Sequence, residues 1–148
     1  MLTHAPIERF SGQHSFLSNF WGVAITAGGM TFPSVECAYQ AAKCALDAPD
    51  RRSRQFSFTT MPPGKAKLFG KRLPLRSDWE TVKVAIMTRL IAAKFCRGTG
   101  LAERLMATDP RELIEGNTWG DTFWGVCNGR GRNQLGETLM MRRHHLLA

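Results

Sequence analysis

The stretch SDWETVKVAIMTRLIAAKFC, Ser77 to Cys96, constrains the fold more than any other part of the chain. Val82, Ile86, Leu90 and Ala93 recur at a helical period, which predicts one long amphipathic helix with that stripe facing the core. Ser77 and Glu80 have the spacing of a capping box, and Gly98 suits a C-terminal cap. A chain of 148 residues built around such a helix is expected to be one domain with a substantial core.

The other segments predict shorter pieces. PSVECAYQAAK reads as a helix start, with Pro33 and Ser34 leading into a helix that runs to about Leu46. Pro62 and Pro63 precede a short helix closed near Gly70, and Leu101 to Ala107 forms another, stopped by Thr108-Asp109-Pro110. A last helix starts near Asn133 and turns Leu135, Leu139, Leu146 and Met140 inward. GVAITAGGMTF predicts two short strands around a Gly28-Gly29 turn. Residues 50–60 are basic and fit no single pattern. The expected fold class is mainly α, a helical domain with a few short N-terminal strands.

Composition and spacing argue against several function classes. No apolar run approaches a membrane span. MLTHAPIERF lacks the basic start and long apolar stretch of a secretory signal, so a cytoplasmic protein is expected. Cys37, Cys44, Cys96 and Cys127 form no CxxC pair, so neither a disulfide framework nor a zinc knuckle is expected. Cys37 and Cys44 are expected to be buried thiols. His4, His14, His144 and His145 match no metal pattern; neither metal nor cofactor is expected. The net charge of +8 attracts phosphate, whether on a nucleotide or on a nucleic acid.

Two clusters carry possible chemistry. On the first helix Glu36, Gln40 and Lys43 fall at i, i+4 and i+7, on one polar stripe opposite Val35, Tyr39 and Ala42. By spacing alone this is a solvated face. A carboxylate in the first turn is nevertheless stabilised as the anion, which makes it a base or electrostatic stabiliser rather than an acid. The second cluster, GNTWGDTFWGVCNGRGRNQLG, packs six glycines with Trp119, Phe123, Trp124, Asp121, Arg130 and Arg132 between residues 116 and 136. Trp119 and Trp124 offer flat faces for a base, or fill core space. Asp121 suits ribose hydroxyls, a water or acid–base work. NGRGRN feeds a helix start, a sensible place for phosphate, with Arg130 and Arg132 as partners. Lys65, Lys67, Lys71 and Arg72 form a further basic group, either a phosphate contact or a solvated face.

FLSNF, SVECAYQAAK, AKLFGK, SDWE, AAKF, DTFWG and RNQLGETLMMRR follow one another in a single order across nearly the whole chain. Together they strongly resemble the YbiA-like, or NADAR (NAD- and ADP-ribose-associated), family. The resemblance implies a compact single domain over residues 1–148. It implies hydrolysis of an N-glycosidic bond between a ribose and a nitrogen. Candidate substrates are phosphorylated ribosylamino-pyrimidines of riboflavin synthesis, or ADP-ribosylated guanine in DNA or RNA. It makes Glu36 the central catalytic residue and matches Trp79, Asp121, Trp124 and Asn133 to family positions. With Asp121 as the second catalytic acid, the expected substrate contacts are Asn19, Gln40, Lys43, Lys71, Arg72, Trp79, Trp124, Arg130, Arg132 and Asn133. The chain departs from the family pattern at Cys37, where histidine is usual, and at Lys71, where arginine is usual. Two alternatives compete with the enzyme: a non-catalytic ADP-ribose or nucleotide module, and a nucleic-acid binder resting on charge alone.

Overall fold

The computed structural model describes residues 4–148; Met1, Leu2 and Thr3, part of the segment read for a secretory signal, lie outside the described residues. The chain divides into two compact bodies. One is Asn19–Lys94. The other joins Met1–Ser18 to Phe95–Ala148.

The body Asn19–Lys94 opens with strands β1 (Ile25–Ala27) and β2 (Met30–Phe32), paired antiparallel with Ala27 opposite Met30. The two-residue turn needs positive φ at both positions, and Gly28 and Gly29 supply it at 58° and 80°. Helix α1 follows over Val35–Ala42. Ser34 is extended, and its hydroxyl accepts the Cys37 amide at 3.1 Å, closing the helix start. The helix stops four residues short of the expected Leu46. There the backbone leaves to pair with another segment: Cys44 bridges Leu75, and the Arg76 amide bonds the Lys43 carbonyl at 2.9 Å.

Residues 50–60, ambiguous in sequence, form α2 (Arg51–Ser57) and a 3₁₀ turn (Phe58–Thr60). Helix α2 buries none of its residues and Phe58 alone is buried in the turn, so no apolar stripe announces either. Helix α3 spans Pro63–Gly70: it ends at Gly70 as expected, and Pro63, read as preceding the helix, is its first residue.

Helix α4 runs from Trp79 to Lys94. It starts two residues later than the capping box predicts. Glu80 pairs with Lys83 at 2.6 Å, and the Asp78 carbonyl receives the amides of Thr81 and Val82. The buried stripe is also rotated from the expected one. Trp79, Met87, Leu90, Ile91 and Lys94 are buried; Val82 and Ile86 are half-buried and Ala93 is exposed. The helix packs on both α1 and β1, which draws in two adjacent faces rather than one stripe.

In the other body α5 (Gly100–Met106) packs on α6 (Gln134–Leu147). Thr99 caps α5 through the Ala102 amide. Helix α6 buries Leu135, Leu139 and Leu146 as expected, leaves Met140 half-buried, and buries Arg143. Arg143 is satisfied by the Thr108 hydroxyl at 2.9 Å and the Arg111 carbonyl at 2.8 Å. Strands β3 (Gly116–Asn117) and β4 (Val126–Cys127) pair in parallel and bracket the glycine-rich loop. Cys37 and Cys44 are buried, as read from sequence, and His144 and His145 are exposed. Among the described residues no helix is long and apolar enough to cross a membrane, and no His/Cys/Asp/Glu group has metal-binding geometry.

Candidate active site

Glu36 is not on a solvated face. Every residue of α1 from Val35 to Ala41 is buried, and Glu36 itself is 7% exposed. A carboxylate survives burial only with compensation. Its amide donates to the Asn19 carbonyl at 3.1 Å, filling one of the orphan positions of the first turn. Gln40 Nε2 donates to Glu36 Oε1 at 2.8 Å. The helix N-terminus adds favourable field for the anion.

One turn further on, Lys43 lies over two aromatic rings. Its Nζ is 5.2 Å from the Tyr39 centroid and 5.9 Å from that of Trp79, and the rings are 5.1 Å apart. Burial pulls the Lys43 ammonium below the ordinary lysine range. The Glu36 charge opposes that fall, whereas Lys67, Lys71 and Lys83 reinforce it. Glu36, Gln40, Lys43 and Trp79 are therefore brought together with Asn19, and Lys71 stands in electrostatic reach of Lys43. Arg72 is exposed.

Cys37 does not stand in for an imidazole beside Glu36. Its thiol donates to the Met61 carbonyl at 3.2 Å. Burial pushes the thiol up, the Ser34 hydrogen bond opposes this, and the Glu36 charge adds to it, so Cys37 stays a neutral packing group.

The glycine-rich loop is knitted by its own side chains. Asn117 Nδ2 donates to the Asp121 carbonyl at 2.8 Å, and Asn117 Oδ1 accepts the Asp121 amide at 3.1 Å. Asp121 Oδ1 accepts the amides of Phe123 and Trp124 at 3.1 and 2.9 Å. Asp121 thus orders DTFWG whatever else it does. A Cβ at Gly125 would overlap Glu115 and lie 2.6 Å from Asn117 Nδ2, so the backbone passes where no side chain fits. Trp124 is half-buried, edge-on to Phe123 at 4.9 Å, while Trp119 is 59% exposed. Arg132 lies 5.6 Å from the Phe123 ring, and Arg130 is exposed.

The expected phosphate seat at the start of α6 is partly taken. The amides of Gln134 and Leu135 bond the carbonyls of Phe123 and Trp124 at 3.1 and 2.9 Å. Those donors are spent on the loop. Asn133 sits in the left-handed region at φ 51° and its side chain holds the backbone of residues 113–115. Its Oδ1 accepts the Glu115 amide at 2.9 Å and its Nδ2 donates to the Leu113 carbonyl at 2.8 Å. Asn133 shapes the loop from within.

The sequence reading missed Tyr39, Gly70, Asn117 and Lys94. Tyr39 is the chain's single tyrosine, three residues beyond Glu36, and that spacing was its one visible signal. Lys94 is 2% exposed, and burial pushes its ammonium down to about 7. An unfolded lysine titrates near 10.4. Between about pH 7 and 10 the unfolded chain therefore holds a proton that the folded chain lacks, and stability rises with pH. Lys94→Met is expected to remove this dependence. Urea denaturation at several pH values should show the wild-type stability gaining on the variant by up to about 1.4 kcal/mol per pH unit across that window.

On the far face of α1 lies a groove of about 470 Å³, lined by Ala38, Ala41 and Ala42 with Phe32, Ile86 and Leu90 among others. Neither Glu36 nor Trp79 lines it.

A buried, hydrogen-bonded carboxylate thus lies on the same helix as a lysine set over two mutually tilted aromatic rings. The model of the NADAR domain matches residues 8–147, and the chain belongs to this family. It is 34% identical over 139 residues to N-glycosidase YbiA of Escherichia coli, covering 92% of this chain and 84% of that protein. It is 36% identical over 136 residues to a riboflavin biosynthesis protein of Vibrio vulnificus, where the match covers 90% of this chain but only 36% of the relative. The NMR structure of E. coli YbiA matches the fold with a TM-score of 0.81 at 33% identity, over 99% of this chain and 88% of that one. The mainly helical class with a few short strands is thereby established.

Proposed function

We propose that this chain is an N-glycosidase that hydrolyses the bond between C1 of a phosphorylated ribose or ADP-ribose and a base or amine nitrogen. The observation that carries this is Glu36, a buried first-turn carboxylate held by Gln40 within the cluster of Lys43, Tyr39 and Trp79. The family membership and the names of the relatives support it.

Breaking such a bond places positive charge on the ribose ring in an oxocarbenium-like transition state. An anion fixed beside C1 stabilises that charge, and a carboxylate also accepts a proton from the attacking water. Glu36 takes this role. The C–N bonding pair departs with the nitrogen and the water oxygen bonds C1; one water proton stays on the new C1 hydroxyl, and the other passes to Glu36 and on to the leaving nitrogen. Asn19 and Gln40 hold Glu36 from its amide and its carboxylate. Trp79 provides a face beside the cluster. Lys43, with Lys71 nearby, supplies cationic charge for a phosphate. Asp121 is the second candidate acid and keeps DTFWG in shape. Trp124 and Asn133 belong to the same loop, and Arg130 and Arg132 are its anion-binding side chains. Arg72 is a further exposed cation for phosphate.

The test is a hydrolysis panel read by mass spectrometry, with phosphorylated ribosylamino-pyrimidines, ADP-ribosyl-guanine DNA and RNA, and NAD. Release of free base or amine from a ribosyl compound is the expected result. Calorimetric binding of ADP-ribose with no release from any panel member would overturn the enzymatic reading in favour of a binding module. The double variant Arg130→Gln/Arg132→Gln is expected to raise KM about tenfold with kcat within threefold, since each lost charge-assisted bond to phosphate weakens binding without touching the reacting atoms.

A further inference from the structure

Gly70, the last residue of α3, has no backbone reason to be glycine. It is helical, buried and outside the positive-φ set, and glycine weakens a helix relative to alanine. The explanation lies in what it touches. A Cβ at Gly70 would overlap Gln40 Oε1 and stand 2.8 Å from Gln40 Cδ and 3.3 Å from Gln40 Cβ. The Gln40 carboxamide occupies the space that any other residue would fill.

That carboxamide is arranged at its own expense. Nε2 donates to Glu36 Oε1, while Oε1 is buried with no hydrogen-bond donor among the described residues. Turning the amide over would set its oxygen against a carboxylate oxygen. A buried side chain that leaves its acceptor unpaired to place a donor on Glu36 serves the carboxylate, not the packing.

We infer that Gly70 is a positioning residue for Glu36, acting through Gln40: the missing side chain lets the carboxamide lie against α3 with its nitrogen on the reacting carboxylate. This rests on Glu36 being the reacting acid. The charged groups around the cluster are Lys43 on α1, Lys67 on α3 and Lys71 just after it, and Lys83 on α4, with the Cys37 thiol on α1. Gly70→Ala leaves all of them in place, so its effect reports the displaced amide.

Three variants test the inference: Gly70→Ala, Gln40→Ala and the double variant. They are assayed from pH 4 to 9 on a phosphorylated ribosylamino-pyrimidine and an ADP-ribosyl-guanine oligonucleotide. Gly70→Ala is expected to lower kcat about tenfold, with KM within twofold, and to move the acidic limb of the kcat profile upward by about half a unit to one unit. Losing a donor to a carboxylate disfavours its charged form, which sets that direction. In the Gln40→Ala background Gly70→Ala should cost nothing more, because the new methyl enters vacated space. Additive losses, or an unmoved acidic limb, would overturn the inference. Carbon-13 NMR titration of the Glu36 carboxyl separates this from the assignment of Glu36 itself. If Glu36→Gln stays active but the Gly70→Ala titration still shifts, the positioning holds and the catalytic role fails. If the titration does not shift, the positioning fails whatever the activity.

Discussion

Glu36→Gln is expected to lower kcat by about 10²–10⁴-fold while the protein stays folded. The substitution keeps the shape of the side chain. The new carboxamide oxygen still accepts from Gln40 Nε2, and the backbone amide still donates to Asn19, so neither bond of the native arrangement is forced open. What disappears is the charge. In a buried site a fixed charge is worth far more than at the surface, because little solvent screens it. The loss should fall on kcat, since the oxocarbenium charge exists only in the transition state. Lys43 reports the same change: Glu36 favours its charged form, so removing the carboxylate should lower the Lys43 ammonium further below the ordinary range. Single-turnover kinetics at pH 7, with circular dichroism to verify folding, give the measurement. A variant at the wild-type rate removes Glu36 from the mechanism.

Asn133→Ala is expected to destabilise the protein by at least about 3 kcal/mol. One buried and one part-buried bond vanish, leaving the Leu113 carbonyl and the Glu115 amide unpaired, at about 1–3 kcal/mol each. Alanine also resists the left-handed backbone by about 1–2 kcal/mol. Asn133→Gly separates the two effects, because glycine accepts the backbone and loses only the bonds; it should recover about 1 kcal/mol. Chemical denaturation of the two variants beside wild type measures this. A loss below about 1 kcal/mol for Asn133→Ala would show that the bridge is not needed and that Asn133 is retained for substrate instead.

The parts of the fold governed by neighbours in sequence were legible. The Gly28-Gly29 hairpin, the Ser34 start of α1, the proline start of α3 and the inward leucines of α6 all follow from local dihedral and periodicity rules. The misreadings share one physical cause. Helix α4 turns a different stripe inward because β1 and α1 both pack on it, and α1 ends early because Cys44 and Lys43 pair with a distant segment. Helix α2 has no apolar stripe to read. Periodicity assumes one buried face and one wet one, and α1 has no wet face.

The same limit governs the site. Sequence by itself determined that Glu36 sits in a first turn, on one side with Gln40 and Lys43, and that seven ordered motifs point to one family. It could not show that this side is buried, because burial is decided by elements distant in the chain. Tertiary structure turned a surface acid into a carboxylate 7% exposed with an amide on its oxygen, and placed Trp79 beside Tyr39 under Lys43. It also spent the first amides of α6 on the DTFWG loop. Local spacing sets which groups share a face; only packing sets the dielectric they work in, and the dielectric gives a carboxylate its catalytic strength.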